Sequence, residues 1–264
     1  MGRLRWVGEP AYSIVIGAVV TTFRIMDWRV RVFGSENIPL QGPFVVASNH
    51  VGYLDFVVVG YAARERGRLV RFMAKQPIFD HAVAGPLMRA MKHIPVDRYG
   101  RAADALGESI ERLRRGQGVG MFPEGTISPS FVPRAGKSGA ARMAMAVDAP
   151  LIPAAVWGSQ RLLTKWRQRN LQRGVVVDVH VGEPIGYGAD DDPQEVTGWL
   201  MAAIGGLTKK AADIYPQEPA GPDDRWWLPA HLGGTAPTPE EAEERLSRQR
   251  AAERERRRAD EQGT

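Results

Sequence analysis

At 264 residues the chain can bury a full hydrophobic core and still carry appendages. It has no cysteine, which excludes disulfides, thiolate metal sites and a cysteine acyl-enzyme. The formal charge is +5; residues 240–264 hold seven basic against eight acidic side chains, so residues 1–239 carry a net +6 that can face phosphates on small molecules, lipid head groups or nucleic acid.

The first residues, Met1-Gly2-Arg3-Leu4-Arg5, are basic, but the uncharged run after Glu9 lacks a small-residue cleavage site, and no cleavable signal is expected. That run, Pro10 to Phe23, has 14 residues, short of the roughly 20 that cross a bilayer as a helix. Trp6 and Trp28 flank it, and Arg24, Arg29 and Arg31 follow closely. Residues 1–27 therefore read either as a helical segment lying in a head-group layer or as a helix packed on the core.

From residue 28 onward, short β-branched or apolar runs predict strands at Trp28–Phe33, Pro43–Ser48, Leu69–Ala74, Ile94–Asp97, Val119–Phe122, Leu151–Trp157 and Val175–Val181. Helical stretches fall between most of them: Asp55–Arg66, Pro77–Met91, Arg101–Arg115, Gly136–Ala146 and Gly158–Gln172, with Pro193–Ile214 closing the domain. The alternation predicts an α/β layered fold over residues 28–215, with a mostly parallel or mixed sheet of about seven strands flanked by helices. Ligand sites in such sheets lie beyond the carboxyl ends of strands. Residues 216–239 contain six prolines and the Trp226-Trp227 pair, and read as a linker or a strap. Residues 240–264 are charged, with Leu246 as their only large aliphatic residue, and read as a solvated helix or disorder.

Three motifs sit at predicted strand ends. In Asn49-His50-Val51-Gly52-Tyr53-Leu54-Asp55, four residues separate a histidine from an aspartate. On a continuous helix residues five apart diverge by about 140°. With His50 in the turn before a helix and Asp55 in its opening turn, the carboxylate can reach back, fix the tautomer and stabilise the imidazolium. The alternative is a helix-start carboxylate beside an unrelated turn histidine. Ile94-Pro95-Val96-Asp97-Arg98 ends on a guanidinium suited to phosphate oxygens, or equally to a salt bridge with Asp97 or a neighbour. Phe122-Pro123-Glu124-Gly125-Thr126 puts a carboxylate in the expected crevice, able to accept from substrate hydroxyls or to serve as a turn acid.

Together with Leu151-Ile152-Pro153-Ala154-Ala155-Val156, these motifs resemble four ordered blocks of the glycerolipid acyltransferase family, most closely bacterial 1-acyl-sn-glycerol-3-phosphate acyltransferases, over roughly residues 25–210. The resemblance implies that His50 and Asp55 are catalytic. It further implies that Arg98 binds phosphate, that Glu124, Gly125, Thr126 and Ser128 contact the glycerol phosphate, and that the fourth block shapes an acyl or acceptor pocket. It implies acyl-CoA or acyl carrier protein as donor, lysophosphatidic acid as acceptor, no cofactor beyond acyl-CoA as co-substrate, and peripheral or monotopic attachment to the cytoplasmic face of the cell membrane. Two positions depart from the pattern: Ile127 stands where the family usually has arginine, and Lys92 where the second block opens with glycine. Arg134 and Lys137 are candidate replacements for the missing cation.

An alcohol attacking a thioester must lose its proton, and an imidazole is an efficient base for that step. No Gly-x-Ser-x-Gly elbow occurs, in keeping with a mechanism without an acyl-enzyme. Gly136-Lys137-Ser138 looks like the end of a phosphate loop, but Phe131 stands where that loop needs glycine. Lys137 and Lys75 are therefore candidate phosphate or coenzyme A contacts, or solvated lysines. Arg161, Lys165, Arg167, Arg169 and Arg173, interleaved with Leu162, Leu163, Trp166 and Leu171, read as an interfacial helix or an ordinary packed one; no nucleic-acid motif accompanies them and no nucleic-acid partner is expected. His81, His93, His180 and His231 lack zinc-ligand spacing.

Overall fold

The computed structural model describes residues 9–97 and 102–262. Seven strands form one sheet: β1 (Arg29–Phe33), β2 (Phe44–Ser48), β3 (Val70–Lys75), β4 (Ile94–Val96), β5 (Gly118–Met121), β6 (Leu151–Trp157) and β7 (Val176–Val181). Their order is β1-β7-β6-β2-β5-β3-β4. Only the β6/β7 pair is antiparallel, so the sheet is mixed and mostly parallel, as the strand–helix alternation implies. The central strand β2 is buried along its whole length, which is why it reads as a continuous apolar run.

Helices α1 (Pro10–Ile25) and α2 (Asp55–Glu65) cover one face, where Phe23, Val58, Val59, Ala62 and Ala63 pack with Val46, Phe72, Ile152 and Val156. On the other face lie α5 (Ala102–Arg114), α6 (Gly139–Met145) and α7 (Pro193–Asp213), whose Leu113, Ala140, Met143, Leu200 and Ile204 pack with Val45, Ala47, Val119 and Leu151. Val45 and Val46 go to opposite cores because successive strand residues point to opposite faces. No helix among the described residues is long and apolar enough to cross a membrane.

Two predicted elements come out differently. The stretch Pro77–Met91 is two short helices, α3 (Gln76–Asp80) and α4 (Ala84–Ala90). His81 is extended, and its Nδ1 accepts from the amides of Val83 and Ala84 at 3.2 and 3.3 Å, so a side chain ends one helix and starts the next. Residues 158–172 form only a 3₁₀ turn at Ser159–Arg161 followed by a loop. Gly158 at φ +91° and Trp166 at φ +62° are left-handed and interrupt any helix. The basic stretch is accordingly not an interfacial helix: Arg161 is buried under the Trp227 ring.

The tail takes the helical of its two expected forms. Residues Pro239–Gln262 form helix α8. Thr238 and Glu241 make a reciprocal capping box, Glu241 Oε2 accepting from the Thr238 amide at 2.9 Å and Thr238 Oγ1 from the Glu241 amide at 3.3 Å. Ala242 and Leu246, one helical turn apart, are both buried. The helix also reaches the rest of the fold through Glu243, which pairs with Arg134, and through Arg245, whose guanidinium lies 3.9 Å from the Trp166 ring centroid.

Candidate active site

The register of the sheet brings the two acidic motifs together. β2 and β5 are parallel neighbours with Ala47 opposite Met121, so His50 and Glu124, each three residues further on, emerge side by side at the carboxyl edge. The His50 amide donates to Glu124 Oε1 at 2.9 Å, and the His50 carbonyl accepts from the Ser128 amide at 2.7 Å. On the other side of β2, Asn49 is clasped by Val156 of β6, its Nδ2 donating to the Val156 carbonyl at 3.0 Å and its Oδ1 accepting from the Val156 amide at 2.7 Å. Both flanks of the histidine are thus fixed through backbone.

Asp55 opens α2 and is wholly buried. Its Oδ2 accepts from the amides of Val51 and Gly52 at 2.7 and 2.8 Å and lies 2.8 Å from His50 Nδ1. Its Oδ1 accepts from the Ser159 hydroxyl. Four donors on one carboxylate give its charged form full hydrogen bonding without water. With Asp55 accepting at Nδ1, that nitrogen carries the ring proton and Nε2 keeps its lone pair. Phe122 stacks on the imidazole, centroids 4.0 Å apart and planes 12° from parallel, and Phe72 stacks on Phe122 at 5.9 Å. The histidine side chain retains 18% exposure while its carboxylate has none.

The remaining sequence candidates fall in different situations. Glu124 is buried, with Oε2 accepting from the Arg134 amide at 3.2 Å, so both oxygens are occupied by backbone N–H groups. Burial pushes its carboxyl up to about 8, opposed by those two donors and by the Arg134 charge. Gly125, at φ +68°, makes the turn, its amide donating to the Phe122 carbonyl at 2.9 Å. Thr126 Oγ1 lies 3.4 Å from Lys165 Nζ. The Ser128 hydroxyl is buried and donates to the Val132 carbonyl at 2.7 Å. Lys137 is exposed just before α6, and Lys75 is exposed at the end of β3. Arg98 lies outside the described residues. The guanidinium of Arg134 pairs with Glu243 of α8; Ile127 is buried. The Asp55 amide at the start of α2 donates to the Gly52 carbonyl at 3.2 Å and is not free for an oxyanion.

Residues 29–157 match the family model described as Acyltransferase. That span, just under half of the chain, is similar to acyltransferase domains. The four ordered motifs that suggested this family all lie within that span. Among similar proteins, the 1-acyl-sn-glycerol-3-phosphate acyltransferase of Bacillus subtilis is 33% identical over 129 residues, 49% of this chain and 63% of that protein. A chloroplastic protein of the same description from Brassica napus is 30% identical over 168 residues, 62% of this chain and 47% of that protein. The chain thus spans less than two thirds of the length of either relative. The crystal structure of the 1-acyl-sn-glycerophosphate acyltransferase of Thermotoga maritima superposes with a TM-score of 0.61 at 23% identity, covering 78% of this chain and 83% of that one, which establishes a common fold.

Two site neighbours escaped the motif reading of residues 29–157. Asn49 was quoted there as part of a block, with no sign that its amide ties β2 to β6. Ser159 follows the span's last matched residue, and only the strand-ending Gly158, which turns the chain back, marks it in sequence.

Proposed function

We propose that this chain moves a fatty acyl group from acyl-CoA to the free hydroxyl of lysophosphatidic acid, giving phosphatidic acid in phospholipid biosynthesis. The observation that carries the reading is the His50–Asp55 pair, 2.8 Å apart at the carboxyl edge of the sheet with the carboxylate held by two turn amides. Nε2 of His50 takes the proton of the acceptor hydroxyl as its oxygen attacks the thioester carbonyl. Asp55 stabilises the imidazolium through Nδ1. Collapse of the tetrahedral intermediate expels the coenzyme A thiolate, which recovers the proton from Nε2, so no acyl group resides on the protein. The acceptor follows the names of the Bacillus and Brassica relatives. The net positive charge of residues 1–239 suits two anionic substrates, and exposed Ile14 and Ile25 on α1 suit a peripheral position on the cytoplasmic face of a membrane.

A second reading rests on Ile127. It is buried where the family usually keeps a cation, which favours a sibling acceptor such as glycerol 3-phosphate or a glycosylated lysolipid. The purified chain, given acyl-CoA or acyl carrier protein donors and each acceptor in vesicles, decides between them by mass spectrometry of the products. Phosphatidic acid from lysophosphatidic acid is expected, together with flotation of the chain on the vesicles. His50→Ala is expected to lower transfer by on the order of 10³-fold. Wild-type transfer by that variant would remove the base mechanism, and acylation of another acceptor alone would replace lysophosphatidic acid.

A further inference from the structure

Asp55 has two oxygens, and the turn that contains it serves only one of them. Oδ2 collects the Val51 and Gly52 amides and faces His50 Nδ1. Oδ1 has a single partner, Ser159 Oγ, which comes from the 3₁₀ turn after β6, 104 residues further along the chain. Neither side chain has any exposed surface, so bulk water does not compete for that oxygen. The segment around Ser159 is built against the His50–Asp55 turn at two further points. The Tyr53 amide donates to the Leu163 carbonyl at 2.8 Å, and Thr164 Oγ1 donates to the Val51 carbonyl at 2.6 Å. Gly52 marks how close the approach is: a Cβ there would lie 2.9 Å from Ser159 Oγ and 3.0 Å from the Ser159 carbonyl oxygen. The turn at Ser159 is itself made by Gly158, where a side chain would meet the Val176 carbonyl oxygen at 2.3 Å.

From this geometry we propose that Ser159 is a positioning residue for the His50–Asp55 pair: its hydroxyl fixes the rotation of the Asp55 carboxylate, so that Oδ2 stays in line with His50 Nδ1. The inference rests on the His50–Asp55 reading above. Ser159 is not a nucleophile, since it is fully buried and its proton is directed at Oδ1. A carboxylate with one oxygen unpaired in a dry site either turns about its Cβ–Cγ bond to share its remaining donors or holds its charge less well. Either change weakens support of the imidazolium, which forms in the transition state and not in the substrate complex. The effect therefore belongs to kcat more than to KM.

Four chains decide the matter: wild type, Ser159→Ala, Asp55→Ala and the double variant, each verified as folded by circular dichroism and assayed for acyl transfer with saturating acyl-CoA. Ser159→Ala is expected to lower kcat about 10- to 100-fold with KM within about twofold, and to have no further effect in the Asp55→Ala background, because its action runs through that carboxylate. Ser159→Cys, of nearly equal size with a weak donor, is expected to fall between serine and alanine and stands in if the alanine variant does not fold. Unchanged kcat in Ser159→Ala, or an equal loss in the presence and absence of Asp55, would overturn the proposal. Wild-type turnover by Asp55→Ala would instead remove the pair itself, a failure that these chains separate from the failure of Ser159.

Discussion

The acyltransferase-like span, residues 29–157, holds two buried carboxylates at neighbouring strand ends, and they are housed differently. Asp55, in the turn after β2, accepts from two backbone amides, faces an imidazole and receives a hydroxyl. Glu124, in the loop after β5, accepts from two backbone amides alone, and burial pushes it up to about 8. The difference teaches that burial does not decide what a carboxylate can do; the number and kind of donors does. A carboxylate with four donors is equipped to balance a proton arriving on His50. One with two backbone donors is equipped to tie loops together, here the His50 turn to the Arg134 segment.

The comparison breaks first at Asp55. Asp55→Asn keeps the side-chain shape but loses the charge: an amide oxygen opposite His50 Nδ1 still accepts but no longer balances an imidazolium, and an amide nitrogen there cannot accept at all. The expected loss in kcat is on the order of 10⁴-fold with KM little changed, read from steady-state acyl transfer. A loss below tenfold would show that His50 does not depend on its neighbour. The next effect is on packing. Gly52→Ala would set a Cβ 2.9 to 3.1 Å from Ser159 Oγ, Ser159 O and Leu163 O, two of them backbone atoms and the third on a fully buried side chain. Destabilisation of about 1–3 kcal/mol is expected in urea unfolding. Gly139→Ala, at the start of α6 beside the Glu124 loop, would meet only the flexible end of Met121 at 3.4 Å, and an effect near zero is expected. Equal effects at the two glycines would erase the distinction between the turns.

Much of this arrangement was legible in sequence because it is local. The His50-to-Asp55 spacing needs only a strand-to-helix turn, and the apolar runs needed only a largely parallel sheet covered on both faces. What was not legible depends on partners far along the chain. Ser159 meets Asp55 across 104 residues, and no local pattern announces such a contact. Glu124 reads as a free carboxylate because its sequence neighbours give no sign that the His50 and Arg134 amides occupy its oxygens. Leu246 reads as isolated because its cover is contributed by other segments. Conversely, the Thr238–Glu241 capping box was present in the letters as Thr-Pro-Glu-Glu, and it marks the start of α8 where overall charge left a solvated helix and disorder both open. His81 illustrates the opposite limit, since helical periodicity through residues 77–91 cannot reveal an imidazole that caps the following helix.

The smallest effect tests Glu124 through pH. In the folded chain its carboxyl holds a proton up to about 8, against an ordinary value of 4.5, so between these limits the folded state binds more protons than the unfolded one. The stability this group contributes is complete below about 4.5 and is lost as pH rises toward 8. Glu124→Gln does not titrate, but its amide nitrogen cannot accept from a backbone N–H, so it gives up one of the two loop ties at every pH. The variant is therefore expected to be less stable than wild type by about 1–2 kcal/mol at pH 5, with the gap closing and then reversing before pH 8, because each pH unit between 4.5 and 8 costs the wild type up to about 1.4 kcal/mol as its carboxyl ionises in the unfolded chain. Urea unfolding at pH 5, 6.5 and 8 reads the trend. A gap that widens with pH would mean that the folded chain favours the ionised carboxylate, and the two acids would then differ in position but not in state.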